Sequence, residues 1–224
     1  MIKEFLEAFR RENQLQQAFE RSHEMMKEDR EMLVEAISSL RDRDDAELRI
    51  DIYAKDQLIN AYEREVRRKV FTHLVVSGGR DLHAGLVLIS VVIDIERIGD
   101  YTKNIVELAL HHPARLHCGS FEETVCKMET TVKTMFDLLL DSLPEDDESK
   151  AKEVMSEHWW VSHRADDIVS ALTSQEDSGM AGRDAVTTAL YVRYLKRVSA
   201  HLMNMASSVV NPFDRIGFRT ENSG

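Results

Sequence analysis

Apolar residues recur along this chain at steps of three and four, in long runs broken by short polar or glycine-bearing stretches. That rhythm predicts helices almost throughout. Leu15, Phe19, Met26, Leu33 and Ile37 mark a first helix from about the start to near Leu40, with a candidate break around residues 11–13, ahead of a charged turn at residues 41–45. A second runs from about Ala46 to Val75 and ends at Ser77-Gly78-Gly79. A third covers about Asp81 to Leu110 and stops before His112-Pro113. A fourth spans about Phe121 to Leu140 before an acidic turn at 144–148. A fifth passes Trp159-Trp160 to about Leu172, and a sixth runs from about Arg183 to Val210. Long helices with short connections predict an all-α chain of two tandem three-helix bundles, their helices antiparallel at shallow crossing angles. The units expected are 1–112, 113–211 and a tail, 212–224.

The same rhythm places acids where apolar residues belong. Ile52, Asp56, Ile59, Glu63, Val66 and Val70 form one stripe of the second helix, with Asn60 beside it. On the third helix Glu96 and Asp100 stand four apart on one face, with Asn104 one turn further. Counting backwards gives Ile93, Ile89, Leu86 and Leu82, so these acids are expected to continue an apolar seam. Carboxylates in a seam are costly to bury unless a basic side chain or a metal ion neutralises them. If the two helices are antiparallel neighbours, up to four carboxylates meet two amides. Such oxygen-rich clusters suit Mg, Ca or Mn, and carboxylate-rich ones also hold Fe or Zn. The competing reading pairs the acids with Arg64, Arg67 or Arg97 as a solvated ion-pair network. Arg97, one step off the Glu96 face, is expected to point elsewhere.

An internal repeat supports two units. A shift of about 100 residues lays Ile95–Asp100 on Leu195–Ala200 and Asn104-Ile105 on Asn204-Met205. Glu96 becomes Lys196 and Asp100 becomes Ala200, so the second copy is expected to lack a metal site and to pair Lys196 with Asp166 or Asp167.

Charge and composition narrow the function. A net charge of −11 argues against an electrostatically driven nucleic-acid binder. No apolar run approaches the ~18 residues of a spanning helix, and the first residues lack the pattern of a secretory signal. Cys118 and Cys126 stand in no recognised metal or redox spacing, so the expected location is the cytoplasm. Glu20 and His23 form a single E-x-x-H pair without the second that a di-iron bundle needs. Trp159 and Trp160 point about 100° apart, one expected in the core and one at an interface. There is no phosphate-cradling loop and no assembled nucleophile and base, so a non-enzymatic protein is expected.

The string Glu96-Arg97-Ile98-Gly99-Asp100 with Asn104-Ile105 resembles the helix signature of the PhoU family. Asp56-Gln-Leu-Ile59-Asn60-Ala-Tyr-Glu63 is similar to the family's second-helix pattern, and Asp81-Leu82-His83 stands where the family carries its linker. The resemblance implies a regulator of phosphate uptake and phosphate signalling. Such a protein acts by contact with phosphate transporter components and a sensor kinase, commonly as a homodimer, and reaches the membrane peripherally only through those partners. It also implies Fe, Zn or Ni in a site that can be multinuclear, so that, with the oxygen chemistry of the cluster, the expected cofactor is a divalent or trivalent metal, Fe, Zn, Ni, Mn or Mg. With the signature added, the metal is the favoured reading of Asp56, Asn60, Glu63, Glu96, Asp100 and Asn104. A metal-independent helical adaptor and a carboxylate-bridged metal enzyme are the alternatives.

Overall fold

The computed structural model describes residues 2–112, 114–174 and 179–219, with side chains from Gln14 onward. Its helices are α1 (Ile2–Arg41), α2 (Ile52–Val76), α3 (Leu82–His111), α4 (Glu122–Glu145), α5 (Glu148–Ser174) and α6 (Gly182–Val210). Short 3₁₀ turns stand at Gly119–Phe121 and Phe213–Arg215. Among the described residues there is no strand.

Two boundaries differ from the apolar pattern for local reasons. The second helix starts six residues after Ala46, because the Asp51 carboxylate accepts from the Ala54 amide at 2.9 Å and caps it. The residues before it are held to α1 instead, where Arg43 joins Glu35 to the carbonyl of Glu47. The fourth helix runs through Pro144 to Glu145 and ends where Asp146 turns left-handed and Ser142 donates to the Asp147 carbonyl.

The first three helices form one bundle and the last three a second, joined mainly where α3 packs against α6. Ile52, Ile59, Val66 and Val70 are fully buried, as the α2 stripe predicts. At about 25 cal/mol per Å² of apolar surface, such side chains supply most of the stabilisation. On α3 the buried stripe is Leu88, Val92, Ile95, Ile98, Gly99, Ile105 and Val106. The predicted seam is therefore overturned there: Leu82, Leu86 and Ile93 are 50%, 36% and 38% exposed, and Ile89 is half-buried. The central helix α3 faces α1, α2 and α6 and is apolar on several sides, so a count started from the acids follows its outer stripe.

The joint between the bundles is polar at its middle. His201 Nδ1 donates to Asp94 Oδ1 at 2.7 Å and Asn204 Nδ2 donates to the same oxygen at 3.0 Å, while Tyr101 stacks on His201. A second polar knot lies where α1 meets α4 and α6. The buried Glu129 carboxylate accepts from Arg41 Nε and from Tyr191 OH, each at 2.8 Å, and Arg41 also donates to Glu122 and the Leu116 carbonyl.

Candidate functional site

Helices α2 and α3 do bring Asp56, Glu96 and Asp100 to one side of the first bundle. Asp56 is largely buried by its place in the α2 stripe, and Asp100 stands half-exposed at the rim. The side chain that links them is a cation the apolar rhythm did not single out. Lys103 Nζ lies 2.8 Å from Asp56 Oδ1 and 3.0 Å from Asp100 Oδ1. Burial works against the Lys103 charge, yet its hydrogen bonds to the two carboxylates outweigh this and raise its pKa. Asn60 Nδ2 donates to Asp56 Oδ2 at 3.2 Å. Asn104 lines the open groove of about 480 Å³ that Asp56, Arg97, Asp100, Lys103 and Tyr53 share.

The arginines take the outer positions. Arg67 reaches Glu63 at 2.8 Å, which draws that carboxylate along α2. Arg97 does not point away as expected: it pairs with Asp100 at 3.2 Å and approaches Glu96 at 3.7 Å. Arg64 has no ion pair with these acids among the described residues. Burial and the neighbouring Asp100 raise the Glu96 pKa.

Beneath this surface lies an acid that no motif announced. Asp29 on α1 is fully buried, and neither carboxylate oxygen has a hydrogen-bond partner. Gly99 admits it: a Cβ at that position would come 3.0 Å from Asp29 Oδ1 and 3.8 Å from Asp56 Oδ1. Burial first, then the charges of Asp56 and Glu96, push the Asp29 pKa well above the ordinary carboxylate range. Three helices thus bring Asp29, Asp56, Glu96 and Asp100 together, with the Lys103 ammonium between Asp56 and Asp100. The donor set, hard oxygens with an orphaned buried carboxylate, fits a cation. Among the described residues, however, no three His, Cys, Asp or Glu side chains are grouped so as to hold a metal ion. Lys103 fills the space between Asp56 and Asp100.

The second bundle is built otherwise at the matching positions. Lys196 Nζ meets both oxygens of Asp166 at 2.7 and 2.8 Å, the pairing that the repeat shift suggests. Ser199 takes the place of Gly99, and its hydroxyl lies 3.0 Å from Nδ1 of the buried His158. Burial, then Lys196 and Arg219, lower the His158 pKa to about 4. Trp159 and Trp160 are both half-buried rather than split between core and surface. The Arg219 guanidinium covers one at 3.7 Å and Lys127 covers the other at 4.6 Å. The tail returns to the bundle, where Gly217 donates to Ser207 and Asn211 binds the carbonyls of Arg215 and Phe218. His112 pairs with Asp184 at 3.0 Å, and burial raises the Cys118 thiol to about 11. No described helix is long and apolar enough to cross a membrane.

Sequence reasoning could have found Asp29 and Lys103. Asp29 interrupts the α1 series Met26, Leu33, Ile37 as Asp56 interrupts that of α2, and Lys103 stands one turn beyond Asp100. Only the approach at Gly99, which depends on how α1 lies on α3, was hidden.

The family model described as PhoU domain matches residues 22–109 and 125–209. The crystal structure of PhoU from Pseudomonas aeruginosa is 20% identical with a TM-score of 0.77, covering 89% of this chain and 96% of that one. The phosphate transport system regulatory protein PhoU from Streptococcus pneumoniae is 17% identical with a TM-score of 0.64, covering 92% and 94%. At these identities the likeness is one of fold. No curated protein matches the chain.

Proposed function

The chain belongs to the PhoU domain family, and on that premise we propose that it regulates phosphate uptake and phosphate signalling by contact with phosphate transporter components and a sensor kinase, as a homodimer. The observation that carries this reading is the family match over both repeats, residues 22–109 and 125–209. The similar protein from Streptococcus pneumoniae is described as the regulatory protein of a phosphate transport system. Long helices with broad outer faces suit docking, and the grooves are open to solvent rather than enclosed. A non-enzymatic, cytoplasmic role fits the same features.

We also propose a metal ion, Fe, Zn, Ni, Mn or Mg, at the first bundle. Asp56, Glu63, Glu96 and Asp100 would supply carboxylates, with Asn60 and Asn104 alongside and Asp29 behind. When bound, such an ion would balance the carboxylates and offer coordination positions to phosphate oxygens. The orphaned Asp29 supports it. The pairing of Lys103 with Asp56 and Asp100 supports the second reading, a metal-independent adaptor that carries its own cation. Lys103→Met separates them: added metal should restore its stability in the first case and leave it unstable in the second.

The regulatory role is tested by cross-linking and recovering the tagged chain from phosphate-replete cells, alongside phosphate uptake in cells lacking it. Transporter components in the recovered material and altered uptake are expected. Neither would be seen if the reading were wrong.

A further inference from the structure

The turning end of the α2–α3 hairpin carries a surface that the regulatory reading does not use. Between Arg64 and His83 there are five lysines and arginines against two acids, in a chain of net charge −11. Arg67 and Lys69 are engaged with Glu63 and Glu65. Arg64, Arg68 and Arg80 are exposed and have no ion-pair partner among the described residues.

Arg64, Arg68, Phe71 and Val75 succeed one another at steps of four, three and four, so they form one stripe of α2. Phe71 and Val75 are 67% and 65% exposed, and Val76, Leu82 and Leu86 are exposed as well. Gly85 packs against Leu74, and Lys103 bonds Asp56. That register sets Val75 about level with Ala84, with Leu82 nearer the tip, and Phe71 between the levels of Leu86 and its next turn. Beyond them the chain reverses through Gly78 and Gly79, both at positive φ with open space around them. Arg68 follows Val75 at a distance of about 10 Å down the helix axis, at the 1.5 Å rise per residue.

Along the α2 stripe apolar side chains therefore lead and Arg64 and Arg68 follow, while Arg80 stands in the turn at the tip. A protein interface sets its apolar core inside a polar rim on all sides. Segregation along an axis instead matches a membrane interface, where apolar groups enter about 5–10 Å and long basic side chains reach back to the headgroups. The acidic remainder of the chain would be repelled by the same surface, which leaves this end to face it.

We infer that the α2–α3 hairpin end docks directly on an anionic membrane surface. Phe71, Val75 and Leu82 enter the headgroup boundary, and Arg64, Arg68 and Arg80 bind lipid phosphates. This goes beyond membrane contact made only through partners and does not depend on the regulatory reading.

The test is sedimentation of the full chain with phosphatidylcholine vesicles and with vesicles that also contain phosphatidylglycerol. Binding at least about tenfold stronger to the anionic vesicles is expected. The pair Phe71→Ser, Val75→Ser should weaken it about tenfold or more at unchanged melting temperature, since both side chains are exposed in the free protein. The triple Arg64→Gln, Arg68→Gln, Arg80→Gln should weaken it by about 100-fold. A wild type that stays in solution with both vesicles overturns the inference, as does binding that survives both sets of changes. Capture of an acidic protein by this patch without vesicle binding overturns it too, and makes the patch a protein interface. The vesicles hold no transporter, so these failures leave the regulatory reading untouched.

Discussion

The two bundles handle buried acids in opposite ways. On α4, Glu129 is buried with the guanidinium of Arg41 and the hydroxyl of Tyr191 both on one oxygen. On α1, Asp29 is buried with nothing on either oxygen, and its neighbours are further acids. The same contrast holds between the second and third helices of each bundle. Asp166 has Lys196 to itself, whereas Asp56 and Asp100 divide one lysine, with Arg97 on the outer side of Asp100. Glu129 and Asp166 are each met by a cation, Arg41 of α1 and Lys196, whereas Asp29 meets none and lies among further acids. Helical topology alone does not set the chemistry. What differs is whether each acid brings its own cation.

The largest effect should come from breaking the satisfied site. Glu129→Ala leaves Arg41 with Glu122 and the Leu116 carbonyl alone and orphans the buried Tyr191 hydroxyl, and should destabilise the protein by about 3 kcal/mol in denaturant titration. If the two sites were alike, removing the other acid would do the same. Instead Asp29→Asn, which replaces an unpartnered carboxyl that burial already holds against ionisation, should leave the metal-free protein at least as stable. Equal losses from both would erase the distinction.

His158 sharpens the comparison through pH. Its ordinary value is 6.5, and burial, with Lys196 and Arg219, lowers it to about 4. On acidification the unfolded chain takes up this proton first. Its contribution is therefore complete above 6.5 and lost as pH falls toward 4. Thermal melts across this window should show a downward slope that His158→Gln flattens. The smallest effect should be that of Lys196→Met. Its partner Asp166 is well exposed, so the loss should stay within about 1 kcal/mol. A larger loss would mean that Lys196 holds the second bundle together as firmly as Arg41 does.

Much of this architecture could be read from the spacing of apolar residues. The α2 stripe was legible because that helix has one apolar face: Ile52, Ile59, Val66 and Val70 are buried, and Asp56 falls between them. The α3 stripe was not, because a helix packed on three neighbours is apolar on several sides, and periodicity alone does not say which side is outermost. Leu82 and Leu86, read as core, became the exposed hairpin end. The acids of the candidate site were legible from the signature. Asp29 could have been read from the α1 stripe, and Lys103 from its distance to Asp100. Their meeting could not, because it rests on the close passage of α1 over Gly99.

The central proposal is that the cluster of Asp29, Asp56, Glu96 and Asp100 takes a cation beyond Lys103 and Arg97. Elemental analysis of protein purified without added metal or chelator, beside the Glu96→Ala, Asp100→Ala variant, tests it most directly. The account predicts stoichiometric metal in the wild type that vanishes in the variant. A metal-free wild type whose melting temperature does not respond to Fe, Zn, Ni, Mn or Mg would contradict it and leave the acids to Lys103, Arg97 and Arg67.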